Sequence, residues 1–199
     1  MLNSIKSNIY IPSKLMTKEW RKSQSWYKGG KKNECEIKQR EWSESIVGTI
    51  INKTKIRLNK RSLEMKIKKT PNKFEDGFDW TEDFDGLISN MDKKFYFNFK
   101  MCICSGGAQT RTLREVFTHI ETQLNYLNKI KETSTKLDSI NEYFINILDG
   151  DICYHHRDKF EYLLNLSVFE DVKRYVFVGD TFEFNDWYSK KSYPLVDSI

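Results

Sequence analysis

Apolar positions recur at helical spacing from about residue 34 to 52, where Trp42, Ile46, Val47, Ile50 and Ile51 share one side of a first helix. The period then shortens. Over residues 54–69, Ile56 and Leu58, then Leu63, Met65 and Ile67, alternate with basic residues, which predicts two short strands turning at Asn59-Lys60. Pro71 and Asn72 break that hairpin. Phe78, Trp80 and Phe84 alternate loosely with acids and predict a strand around 78–88. After a polar turn, the run KFYFNFKMCIC reads as a strand buried on both faces, because Asn98 and Lys100 are its interior polar residues. Two residues apart in a strand, they point to the same face.

Thr112-Leu-Arg-Glu115 has the form of a capping box and predicts the start of a second helix. Its face of Leu113, Val116, Phe117, Ile120, Leu124 and Leu127 runs to about Lys129. Thr135 to Asp138 offers another helix start. EYFINILDGD predicts a buried strand stopped at Asp149-Gly150, residues 159–166 a short helix, and RYVFVGD a last buried strand. Residues 181–199 are aromatic and unpatterned. Residues 1–33 also lack a sustained period and read as a basic, partly helical N-terminal arm before a single domain over 34–199. These elements predict an α/β fold with a central mixed β-sheet flanked by helices.

Charge adds a second division. The 33 basic and 28 acidic side chains give a net +5, but the two halves differ. Residues 1–74 carry 19 Lys and Arg against 6 Asp and Glu, a net of +13, and residues 75–199 carry 14 against 22, a net of −8. A block this basic predicts a polyanion-binding face, with Trp20, Trp26, Tyr27 and Trp42 placed to pack on sugars or bases; the same residues would also serve as a solvated lysine surface over a tryptophan core. No apolar run approaches the roughly 18 residues of a membrane span. The first residues lack the apolar core of a secretory signal, and four cysteines in 199 residues make no disulfide framework. The expectation is an intracellular protein, cytoplasmic if bacterial, with reduced thiols.

Candidate chemistry concentrates where the charge changes sign. Glu75, Asp76, Asp79, Glu82, Asp83 and Asp85 fall within eleven residues. Acids this dense must be solvated, paired with lysines or bound to a hard cation such as Mg²⁺. Asp85 lies 13 residues before Asn98, and Lys100 follows two residues later.

An Asp near a strand end, a short turn, then a strand with a polar residue and a Lys two apart resembles the PD-(D/E)XK nuclease superfamily, which includes many type II restriction endonucleases. The order helix–strand–strand–strand–helix–strand between 34 and 148 is similar to the core of that family. The resemblance implies a Mg²⁺-dependent endonuclease that cuts duplex DNA, as a homodimer matched to a two-fold site. It assigns Asp85 as a metal ligand, position 98 as the second ligand, and Lys100 to the attacking water and the phosphate charge. Position 98 departs from the pattern, being Asn where the family has Glu or Asp, so Asp83 enters as an alternative ligand. The family often adds an acid from its first helix, for which Glu44 is the candidate, with Glu36 and Glu41 behind it. Gln109, Thr110, Arg111 and Arg114 correspond to side chains turned towards DNA, after the glycine turn Ser105-Gly106-Gly107. The Asn at 98 leaves an alternative, a catalytically inactive nucleic-acid-binding protein on the same scaffold.

Other constellations are weaker. Cys102-x-Cys104 with Cys153-x-His155-His156 lacks the spacing of common zinc sites. His119, between Phe117 and Ile120, reads as a packed helix histidine. No phosphate-binding loop, dinucleotide fingerprint or serine-hydrolase elbow occurs.

Overall fold

A computed structural model describes residues 12–30, 33–68, 71, 76–103, 105–133 and 140–190. The elements, in chain order, are α1 (Lys18–Ser23), α2 (Glu34–Val47), β1 (Ile56–Leu58), β2 (Met65–Ile67), β3 (Gly86–Asn90), β4 (Lys93–Met101), α3 (Gly107–Thr133), β5 (Glu142–Asp149), α4 (Asp151–His155), α5 (Arg157–Leu164), β6 (Val176–Gly179) and α6 (Thr181–Lys190). β1 and β2 form a separate antiparallel hairpin, and the main sheet has the order β3-β4-β5-β6. β3 runs antiparallel to β4, whereas β4, β5 and β6 are mutually parallel. The fold is therefore α/β with a mixed sheet between helices.

β4 shows how the period of two builds the core. Its even positions face α3: Tyr96 stacks near Phe144 at 5.5 Å and near Phe84 at 5.1 Å, and Phe84 in turn meets His119 of α3. Its odd positions face α2 and α6, with Phe97 at 6.0 Å from Phe184 and Phe99 under the Arg40 guanidinium. α3 supplies Val116, Ile120, Leu124 and Leu127, all buried. α2 ends at Gly48, whose φ of 73° is the left-handed conformation that a C-terminal cap needs. Gly86 opens β3 because a Cβ there would sit 2.2 Å from Ile51 Cγ2.

Four expectations change. The strand expected over 78–88 is β3 alone, 86–90; residues 76–85 run beside the hairpin irregularly, with Thr81 N–H donating to Leu58 O and Phe84 N–H to Ile56 O. α3 begins at Gly107, so Thr112 caps nothing and its hydroxyl donates back to Ala108 O at 3.2 Å. The unpatterned tail contains α6, whose buried Phe184 is one contact in a period that short aromatic runs obscure. The first helix stops at Val47 rather than 52. The helix start at 135–138 and Cys104 lie outside the described residues.

Residues 12–30 of the N-terminal arm lie on the domain. Ser13 and Met16 are buried. Asp149, fully buried at the end of β5, accepts from Ser13 Oγ, Thr181 N–H, Thr181 Oγ1 and Gln39 Nε2, which ties the arm, α2 and α6 to one carboxylate. Trp20, Trp26 and Trp42, each half-buried, pack on each other with centroids 6.3–6.4 Å apart.

Candidate active site

The acidic segment and the basic hairpin neutralise each other. Arg57 pairs with Asp83 at 3.1 Å, Lys55 with the other Asp83 oxygen at 3.5 Å, Arg61 with Asp79 at 2.9 Å, and Lys68 with Asp76 at 2.8 Å. Part of the charge division in the sequence is thus an internal contact, of four cations in 55–68 with three acids in 76–83. Asp83 is held by two cations, and Asp76 also accepts from Trp80 Nε1.

Asp85 differs from its neighbours. It lies at the foot of β3, and continuing the register Gly86↔Phe97 by one residue sets it opposite Asn98. Its Oδ2 accepts the Phe99 N–H at 2.7 Å. Burial pushes its pKa up to about 6, against the opposing effects of Lys100 and the Phe99 hydrogen bond. Lys100 Nζ donates to Glu82 Oε2 at 2.9 Å. Burial alone would lower the Lys100 pKa, but Asp85, Glu82 and Glu36 outweigh it and raise it. Lys100 is therefore a fixed cation at neutral pH. Glu82 is held below the usual carboxylate range, first by the Lys100 charge.

Two clefts meet at the Lys100–Glu82 pair. The larger, about 850 Å³, is lined by Asp85, Asp83 and Glu36 with Lys53, Lys55 and Arg57. The smaller, about 470 Å³, is lined by Asn98, His119, Lys60, Trp80 and Arg114. Lys100 and Glu82 line both. Asp85 and Asn98 thus open on opposite sides of this ion pair.

Asn98 is 2% exposed and belongs to a polar chain through the core. Asn146 Nδ2 donates to Phe177 O, which only accepts, so Asn146 Oδ1 must face the other way and receive Asn98 Nδ2 at 3.3 Å and Gln123 Nε2 at 3.1 Å. The Asn98 amide nitrogen is committed to the core, and its oxygen is left towards the smaller cleft.

Glu44 does not join the site. Its Oε1 accepts the Ile51 N–H at 2.9 Å, closing the loop after α2. Two turns earlier on the same helix, Glu36 lines the Asp85 cleft and pairs with Arg40 at 3.1 Å. Helical spacing alone does not say which acid of α2 meets Asp85; Arg40, which donates to Glu36 and to Asp85 O, places Glu36 there. Glu41 is exposed and pairs with Lys38. His119 is fully buried, its pKa driven down to about 4 by burial and then by Lys100, and its Nε2 has no hydrogen-bond partner. Gln109, Thr110, Arg111 and Arg114 lie on the first two turns of α3, and Arg114 reaches the rim of the His119 cleft.

Among the described residues, no three His, Cys, Asp or Glu side chains converge as a metal cage. Cys102 and Cys153 instead contact each other, both buried. The donor chemistry in the larger cleft does fit Mg²⁺ held in its open mode, which uses one or two carboxylates and takes its other oxygens from water and substrate phosphate. Asp85 is a carboxylate whose burial a bound cation would offset, and Glu36 stands beside it in the cleft. Asn98 and Asp83 fit less well, one facing the other cleft and one already paired twice.

No helix among the described residues is long and apolar enough to cross a membrane. Comparison with protein-family models, curated proteins and solved structures finds no match.

Proposed function

We propose that the chain is a Mg²⁺-dependent endonuclease that hydrolyses phosphodiester bonds in duplex DNA, of sequence-specific restriction type and acting as a homodimer inside the cell. The observation that carries the reading is that Asp85 and Lys100 line one cleft: a carboxylate that burial pushes up to about 6 and an ammonium held charged by its acids, rimmed by Lys53, Lys55 and Arg57. A phosphodiester is an anion attacked by an anion, so its site needs fixed positive charge and a place for a hard cation. Asp85, with Glu36 beside it, would hold the metal, which when bound supplies Lewis-acid polarisation of the phosphate and a more acidic water. Lys100, kept protonated by its three acids, stabilises the charge that develops on the phosphate oxygens and, having no free lone pair, is not the base that takes the attacking water's proton. Glu82 orients the ammonium between the two clefts.

One observation favours a second reading, an inactive nucleic-acid-binding protein: the Asn98 amide is turned into the core, so it offers the Asp85 cleft no second ligand. A digest of a long defined DNA with Mg²⁺, beside a binding assay in Ca²⁺, separates the two. Discrete bands support the restriction-type reading, and a smear keeps the nuclease while removing its sequence specificity. Binding in Ca²⁺ without cutting in Mg²⁺ selects the inactive reading.

A further inference from the structure

A third cleft, about 590 Å³, lies between the start of α3 and the α4–α5 turn. Its floor is apolar: Leu113 and Phe160 are buried, and Phe117 meets Phe160 with ring centroids 6.2 Å apart. Its rim carries two cations and one acid, the exposed Asp158. Arg114 comes from α3 and Lys159 from α5, both exposed. Unlike Arg57, Arg61 and Lys68, neither forms an ion pair with a described residue. Thr110, His156 and the exposed Tyr162 also line it. Arg114 also rims the His119 cleft, which joins the Asp85 cleft at Lys100 and Glu82. Shared residues therefore make the three clefts adjoin in turn, with the His119 cleft in the middle.

An apolar aromatic floor under two unpaired cations complements a planar aromatic group that carries an anion. The volume falls in the range of small-molecule sites. We infer that this cleft binds one nucleotide of a nucleic-acid strand, its unstacked base against Phe117, Phe160 and Tyr162 and its phosphate between Arg114 and Lys159. The inference rests on the nuclease reading for the identity of the anion, and extends it from the scissile phosphate to a neighbouring nucleotide. A strand lying along the clefts passes Lys100 and then Arg114, so seating a base here would fix the strand's register at the reacting centre.

The test is calorimetric titration of the full chain, without divalent metal, with dAMP, deoxyadenosine and inorganic phosphate. The expected result is binding of dAMP in the millimolar range, about tenfold or more tighter than either half alone, since each half forgoes one set of contacts. Lys159→Ala, an exposed change that leaves folding intact, should weaken dAMP about tenfold and leave deoxyadenosine unchanged. Irradiation with 5-iodo-dUMP should cross-link Tyr162 or Phe117, located by peptide mass spectrometry. Phosphate binding as tightly as dAMP would reduce the cleft to an anion patch and overturn the inference, as would no heat at millimolar dAMP or cross-links elsewhere. The measurement needs no cleavage. A chain that binds dAMP here but cuts nothing keeps the site and loses the nuclease, and one that cuts without binding dAMP does the reverse.

Discussion

The Phe99 N–H donates to Asp85 Oδ2 at 2.7 Å, clamping the carboxylate at the end of the irregular acidic segment to the strand that carries Asn98 and Lys100. One hydrogen bond thereby couples two stretches 14 residues apart. It also leaves Asp85 the one acid of residues 76–85, apart from Glu82, that lines a cleft without a short ion pair to the basic hairpin.

Asp85 should destabilise the fold when charged. Its folded pKa of about 6 lies above the ordinary carboxylate value, so between about pH 4 and 6 the folded state keeps a proton that the unfolded state has released. Stability from this group is full below that window and is lost as pH rises through it. Asp85→Asn removes the charge while its amide oxygen still accepts from Phe99. Urea denaturation should show the variant more stable than wild type by about 3 kcal/mol near pH 8 and little changed near pH 4. Equal differences at both pH values would contradict the burial of Asp85.

Lys100→Ala should cost about 10²–10³ in cleavage rate while DNA binding in Ca²⁺ persists, because the lost cation acts on charge that develops only in the transition state. Glu82, two-thirds exposed at its side chain, should carry little of the stability. Single-turnover cleavage beside a gel-shift titration reads both quantities. A parallel loss of affinity and rate would make Lys100 an ordinary phosphate contact.

Asn98→Asp brings an acceptor to the Asn146 oxygen that now receives the Asn98 amide. A buried donor is lost and two oxygens oppose each other, so the variant should lose about 1–3 kcal/mol of stability in urea denaturation. The family pattern alone expects this substitution to supply a second anionic ligand. A variant as stable as wild type and faster at low Mg²⁺ would show that position 98 turns to the metal after all.

Affinity for duplex DNA should fall with salt at a log–log slope of about −0.9 for each phosphate neutralised. Lys53→Ala and Arg114→Ala should each make that slope shallower by about one unit. Lys68→Ala should leave it unchanged, since Lys68 is already paired with Asp76. A flat salt dependence in wild type would leave the basic half with its internal acids as its only partners.

Much of this architecture is legible in the residues. The period of two in KFYFNFKMCIC gave β4 and set Asn98 and Lys100 on one face, because a strand buried on both sides leaves little choice of register. The amphipathic stripe from Leu113 to Leu127 gave α3 for the same reason. Where pairing was long-range, the pattern was silent. The acids before Asp85 look like one cluster, but Asp76, Asp79 and Asp83 meet different cations of the hairpin and Glu82 meets Lys100, matches between segments that no local period encodes. Glu44 and Glu36 share a helix, and long-range contacts, Arg40 to Asp85 O among them, show which one stands beside Asp85. The unpaired rim of Arg114 and Lys159 joins residues 45 positions apart, and its signal in the sequence was no more than two ordinary basic residues.

The central claim, that Asp85 and Lys100 form one reacting centre, is tested most directly by single-turnover cleavage of supercoiled plasmid with Mg²⁺. Wild type, Asp85→Ala and Lys100→Ala should be compared at protein concentrations where Ca²⁺ binding of all three is saturated. The account predicts nicked and linear products from wild type, none from Asp85→Ala, and products from Lys100→Ala at a rate lower by about 10²–10³. Cutting by Asp85→Ala at the wild-type rate would contradict it.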